Sequence, residues 1–190
     1  MQQLKDSRLQ PDVITYGALA DAYSKAKPAQ WQKAVNLNLL QVMRRDQVEP
    51  SVTTYTAVID ACGKAQPAQW QQAVHLLQLM ESTDVKPNAT TYSAAISACC
   101  NGKQHHQALR LYDQMKAAGI KPDDITYGAL IDGLQAAGLE QAADAIYAVA
   151  VSNTMLQHWS VKSRNAGMLD LHDFTTGPAM AAMRVYSVTW

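Results

Sequence analysis

Cys99, Cys100, His105 and His106 lie within eight positions of one another and are of the types that hold zinc. Their spacing matches no usual zinc pattern. Cys99 falls on an apolar helical face and both histidines fall in a turn, so neither a metal nor a cofactor is expected. The chain has no glycine-rich phosphate loop, HExxH or nucleophile elbow. What recurs instead is a set of short hydrogen-bonding side chains in one setting. Asp12, Ser51, Asn88 and Asp123 each follow a proline, and Thr56 and Ser93 each follow a tyrosine. A carboxylate only accepts hydrogen bonds, whereas an amide or a hydroxyl both donates and accepts. With no catalytic motif beside them no enzymatic role is expected of these groups; alone they could bind a partner or cap helices.

These residues are positioned by a repeat. PDVITY, PSVTTY, PNATTY and PDDITY begin at Pro11, Pro50, Pro87 and Pro122, and their tyrosines (Tyr16, Tyr55, Tyr92, Tyr127) are 39, 37 and 35 residues apart. That period is the sign of a solenoid, in which each unit buries its apolar face against its neighbours. From each tyrosine the apolar positions follow i, i+3, i+4, i+7, as in Tyr55, Val58, Ile59, Cys62, which predicts a helix. A second helix repeats the pattern from Ala73, Ala108 and Ala143. Proline after each pair stops the chain from continuing as helix, and the residue behind it is a strong N-cap type. PAQWQ, present at Pro28 and again at Pro67, fills the turn between the two helices of units one and two. Its tryptophans, Trp31 and Trp70, are expected to pack on the seam between units. Two extra residues in the second helix of unit one predict a local phase shift.

Composition agrees with a folded chain: 190 residues, 48% apolar and 17% charged. With 16 basic and 16 acidic residues the net charge is zero, which excludes a protein held to DNA or membrane by bulk positive charge. Three cysteines, two of them adjacent, fit a reducing compartment. No stretch approaches the roughly 20 apolar residues of a membrane helix, and neither a membrane nor a small-molecule substrate is expected as a partner. LKDSRLQPD looks like the end of an earlier unit's second helix, so the chain is expected to begin mid-repeat.

The P-[DNS]-x-x-T-Y opening, the helix pair closing in M-x(6)-P and the 35-residue period together resemble pentatricopeptide repeats. ATTYSAAISACCNGKQHHQALRLYDQMKAAGIKPD, from Ala89 to Asp123, is the best copy. The tetratricopeptide repeat has a different W…LG…Y signature. The resemblance implies an all-α solenoid of tandem antiparallel helix pairs. Residues 1–12 would be the tail of a truncated repeat; 13–51, 52–88 and 89–123 would be repeats; 124–158 would be a degenerate one. Residues 159–190 would be a linker and the truncated start of an α/β small MutS-related domain, which Leu169, Asp170, Leu171 and His172 resemble; Asp173 stands where that family has glycine. The tail after about Ser152 is expected to pack poorly.

The resemblance also implies a partner, single-stranded RNA, and an organelle, chloroplast or mitochondrion. Each repeat would read one base with the residue after the tyrosine and the residue after the closing proline. The pairs are Gly17 with Ser51, Thr56 with Asn88 and Ser93 with Asp123; Asp12 would complete a preceding unit, and Gly128 would face His158 by length alone. Ile14, Thr53, Thr90 and Ile125 would pack against bases, and Lys25 and Lys64 would contact phosphate. Thr56/Asn88 suits adenine or cytosine and Ser93/Asp123 suits guanine or uracil; the family's pairing of hydroxyl residues with purines selects adenine, then guanine. Asp12, Ser51, Asn88 and Asp123 are good helix caps whatever they bind. A scaffold that binds other proteins in its concave face is the alternative, favoured by the neutral charge and the two glycines.

Overall fold

The computed structural model of the protein describes residues 12–24, 39–152, 163–164, 168–169 and 176–187. Helices run α1 (Val13–Ser24), α2 (Leu39–Arg45), α3 (Val52–Lys64), α4 (Trp70–Glu81), α5 (Ala89–Asn101), α6 (His105–Ala117), α7 (Asp124–Ala136) and α8 (Glu140–Ser152). Two short antiparallel strands follow, β1 (Ser163–Arg164) and β2 (Met168–Leu169), and then helix α9 (Thr176–Ser187). Apart from the two-residue strands the described architecture is the expected all-α solenoid of helix pairs.

The first helices start where the sequence supplies a cap. Ser51, Asn88 and Asp123 are extended N-caps whose side chains accept the backbone N–H of Thr54, Thr91 and Thr126. Asp12 does the same for Thr15 at 2.8 Å; hydrogen bonds from Thr15 hold its carboxyl below the usual carboxylate range. After α2, α5, α6 and α7 the chain turns through the left-handed region. Gly119 and Gly138 (φ 73°) do so freely, and the amides of Ile120 and Leu139 then reach back to the carbonyls of Met115 and Leu134. Gln47 and Lys103 adopt the same conformation (φ 58°), at a cost of about 1 kcal/mol that glycine escapes.

The first helices α1, α3, α5 and α7 stack consecutively. Described second helices α4 and α6 pack behind, each against its own first helix and against the next one. Tyr55, Ile59 and Cys62, Tyr92, Ile96 and Cys99, and Tyr127, Ile131 and Leu134 are all buried at the predicted period. Burying such a side chain is worth roughly 1.5–3 kcal/mol, and this continuous seam is what holds the units together. The tyrosine hydroxyls cross it to polar ends: Tyr16 donates to Asp46 (2.6 Å), Tyr92 donates to Glu81 (2.8 Å), and Tyr55 accepts from Arg44 (3.3 Å). Burial, reinforced by the neighbouring carboxylate, pushes the Tyr16 and Tyr92 phenols up to about 12.

The expectation of a poorly packed tail is corrected by α9. Ala181 and Ala182 are fully buried in the common core, and Arg184 holds the Asp144 carboxylate from Nε (3.1 Å) and Nη2 (2.8 Å). The Gly177 N–H donates to Asp132 and its carbonyl accepts from Gln135, both at 2.8 Å. Gly177 thus lies near the end of α7, while Arg184 lies near the start of α8. Helix α9 therefore packs against both α7 and α8. The sequence disguises this because α9 docks through glycine and alanine, which carry almost no amphipathic signal.

Candidate nucleic-acid interface

Stacking the first helices in parallel lines up their N-terminal turns along one edge, because every unit enters its helix at the same cap. The result is a groove of about 820 Å³ across α1, α3, α5 and α7. Nine of the twelve residues expected to read or pack bases line it: Gly17, Ser51, Thr56, Asn88, Ser93, Ile14, Thr53, Thr90 and Ile125. Its character is apolar with a few convergent polar groups, the usual make-up of a ligand groove. Ile14 is 75% and Ile125 61% exposed. Two large β-branched side chains held in solvent within one groove gain most from a flat apolar ligand face.

The polar groups converge in two clusters. At the α3–α5 seam, Thr56 Oγ1 lies 2.8 Å from Thr91 Oγ1, and Thr91 donates its hydroxyl to Asn88 Oδ1 at 2.9 Å. At the α5–α7 seam, Ser93 Oγ lies 2.6 Å from Thr126 Oγ1 and 3.1 Å from Asp123 Oδ1, and it also donates to the Ala89 carbonyl at 2.8 Å. Ser93 is 2% exposed, so Asp123 is the more accessible member of its pair. Asp12 caps α1 and is exposed. Gly17 and Gly128 place no side chain in their seams.

Among the described residues lining the groove, none is lysine or arginine. Lys64 stands exposed on the last turn of α3 and pairs with Asp60 one turn back, a surface pair worth only a few tenths of a kcal/mol. Lys25, Trp31, His158, Asp170, Leu171 and His172 lie outside the described residues. Asn101, at the position of Lys64 one unit on, donates from Nδ2 to the Gly63 carbonyl at 3.0 Å and so fastens two units together.

Among the described residues no three His, Cys, Asp or Glu side chains are grouped to hold a metal ion. Burial pushes the Cys62, Cys99 and Cys100 thiols up to about 12, which leaves them neutral and poor ligands at pH 7. Trp70 opens α4 and lies against Gly102 of the next unit, where an added Cβ would stand 2.6 Å from the indole. It seats on the inter-unit seam as its repeat position suggests. No described helix is long and apolar enough to cross a membrane.

Two family models match the sequence: a pentatricopeptide repeat domain over residues 1–65 and the PPR repeat family over residues 94–135, together more than half of the chain. No curated protein matches. Among solved structures, the pentatricopeptide repeat protein PPR10 in complex with an 18-nt psaJ RNA element is similar with TM-score 0.72 and 18% identity, over 99% of this chain and 24% of that one. PPR10 from maize gives 0.70 and 19% over the same shares. The PPR domain of Arabidopsis thaliana protein-only RNase P 1 in complex with tRNA gives 0.65 and 14%, over 80% of this chain and 77% of that one. The chain spans about a quarter of the length of PPR10.

Proposed function

Because the chain belongs to the pentatricopeptide repeat family, we propose that it binds single-stranded RNA along the groove over α1, α3, α5 and α7, one base to each seam. The observation that carries this is the convergence of nine of the twelve reading and packing residues on one apolar groove. RNA bases are flat, apolar on their faces and polar at their edges. A wall of Ile14, Thr53, Thr90 and Ile125 with hydrogen-bonding groups beside it suits both features. The Thr56/Asn88 and Ser93/Asp123 seams read adjacent bases as 5′-A-G-3′, and the Gly17 and Gly128 units discriminate poorly. The protein acts as an RNA adaptor in chloroplast or mitochondrial RNA processing, without cleaving RNA itself.

Filter binding with random single-stranded RNA against an equal mass of duplex DNA tests the partner. Retention of the RNA alone is expected. Retention of neither would favour a protein-binding scaffold. Asn88→Asp tests the code: the preference at its base shifts from adenine toward guanine, while stability holds because Asp caps as well as Asn. An unchanged preference would refute the assignment.

A further inference from the structure

Among the described residues, the buried polar side chains are Thr54, Thr91, Ser93 and Thr126. All four stand at the seams between first helices. Thr54, Thr91 and Thr126 occupy the same register, directly before the unit's tyrosine. Valine would fill that volume with no polar group to satisfy, so a hydroxyl retained there in three successive units requires a polar task. Capping supplies part of that task, because the Thr91 and Thr126 hydroxyls accept the backbone N–H of Asn88 and Asp123 at 3.4 Å and so close capping boxes. The hydroxyls of Thr91 and Thr126 also reach across the seam, to Thr56 and Ser93.

Counting protons fixes the direction of this network. The Thr91 N–H cannot rotate away, so the Asn88 amide must turn its oxygen inward and its Nδ2 outward. Thr91 Oγ1 is 2.9 Å from that same oxygen, and two lone pairs at that distance repel unless the Thr91 proton lies between them. Thr91 then has no proton for Thr56, and Thr56 donates to it instead. Asn88 can offer a ligand only N–H donors, and Thr56 only lone pairs. At the next seam Asp123 Oδ1 accepts from the Thr126 N–H (2.8 Å) and hydroxyl (2.6 Å), which leaves Oδ2 as the acceptor it can offer. At the first seam Thr54 meets only Ser51 Oγ (3.1 Å), because Gly17 supplies no hydroxyl.

We propose that Thr91 is a specificity-positioning residue: its buried hydroxyl, committed to Asn88 Oδ1, obliges Thr56 to donate inward and to offer a base only lone pairs, and adds a second bond that holds the Asn88 amide with Nδ2 outward. The proposal rests on the RNA function given above, and its test separates the two. The full chain is titrated with 5′-UUUAGUUU-3′ and with the three RNAs that replace its A. Wild type should prefer adenine within the roughly 5- to 150-fold range of a good base contact. Thr91→Val should reduce that preference to about threefold or less, and Thr91→Ser should restore it. In the protein alone, solvent exchange of the Asn88 Nδ2 protons, followed by NMR, should quicken in Thr91→Val and not in Thr91→Ser. Melting curves identify any variant that fails to fold. If wild type shows no base preference, the RNA function fails and the proposal falls with it. If wild type discriminates, Thr91→Val is folded and it discriminates equally, Thr91 is only a cap and the proposal alone is overturned.

Discussion

Replacing Gly177 with alanine should release α9 from the end of the solenoid. A Cβ at this position would collide with the Asp132 carboxylate and stand 2.9 Å from its Cα and 3.0 Å from its backbone nitrogen. Only the carboxylate can swing away; the backbone of α7 cannot. Overpacking of this kind costs about 1–3 kcal/mol. Moving the carboxylate also breaks its bond to the Gly177 N–H, and shifting α9 breaks the bond from Gln135, each worth about 1 kcal/mol. The sum, about 3–5 kcal/mol, is to be set against what holds α9: two buried alanines and the half-buried Arg184–Asp144 pair. Alanines bury little area, so the helix should undock while the tandem pairs stay folded. Hydrogen exchange should show amides of residues 176–187 losing protection and those of α3 to α6 keeping it. Met180→Ala, on the exposed side of α9, is the control and should change nothing. Unaltered protection of α9 in Gly177→Ala would refute the docking geometry.

Trp70→Ala should destabilise the chain by about 2–3 kcal/mol in thermal melts, below the ~3–5 kcal/mol of a fully buried aromatic because Trp70 is half-buried; an unchanged melting temperature would mean that the indole does not hold the seam. Cys62 and Cys99 should resist alkylation at pH 8 in the native protein and react fully in guanidinium, as followed by mass spectrometry, with the partly buried Cys100 reacting ahead of them; rapid native labelling of Cys62 or Cys99 would contradict their burial. The raised phenol values of Tyr16 and Tyr92 mean that their contribution to stability is complete below pH 10 and is lost as pH rises through about 12. Tyr92→Phe should therefore cost about 1 kcal/mol at neutral pH, the worth of one part-buried hydrogen bond, and should flatten the loss of stability between pH 10 and 12 in denaturant titrations.

The helix pairs were legible because period and caps coincide: Tyr55, Val58, Ile59 and Cys62 give the buried face, and Ser51 marks its start. The groove was legible only through family resemblance, since nothing in Ile14 or Ile125 alone distinguishes a residue held out in solvent from one buried by a neighbour. The cross-seam contacts of Thr91 and Thr126 were hidden for a different reason. Beside a tyrosine at a helix start, threonine reads as an ordinary N3 residue, and only the stacking of two helices reveals the hydroxyl across the seam. Lys64 stands on the last turn of α3, but its ion pair with Asp60 follows from rotamer choice, which spacing does not determine. The docking of α9 was not legible because alanine at Ala181 and Ala182 is equally at home in a loop, on a surface or in a tight helical contact.

The seams between first helices are also mechanically asymmetric. Toward the C-terminal ends of α3, α5 and α7 they are already at contact: a Cβ on Gly63 would stand 3.0 Å from Ala98 Cα, and one on Gly133 would stand 2.6 Å from Cys100 Sγ. At the N-terminal end they are bridged by hydroxyls, Thr56 to Thr91 and Ser93 to Thr126. The tight end behaves as a pivot, since it is already at contact and can only rotate. The hydroxyl end behaves as the free edge of a fan, where a small change of tilt alters the spacing between neighbouring helices most. Adjustment of the array to the rise of a bound strand would therefore be concentrated in the groove, and the apolar seam behind it would remain shut.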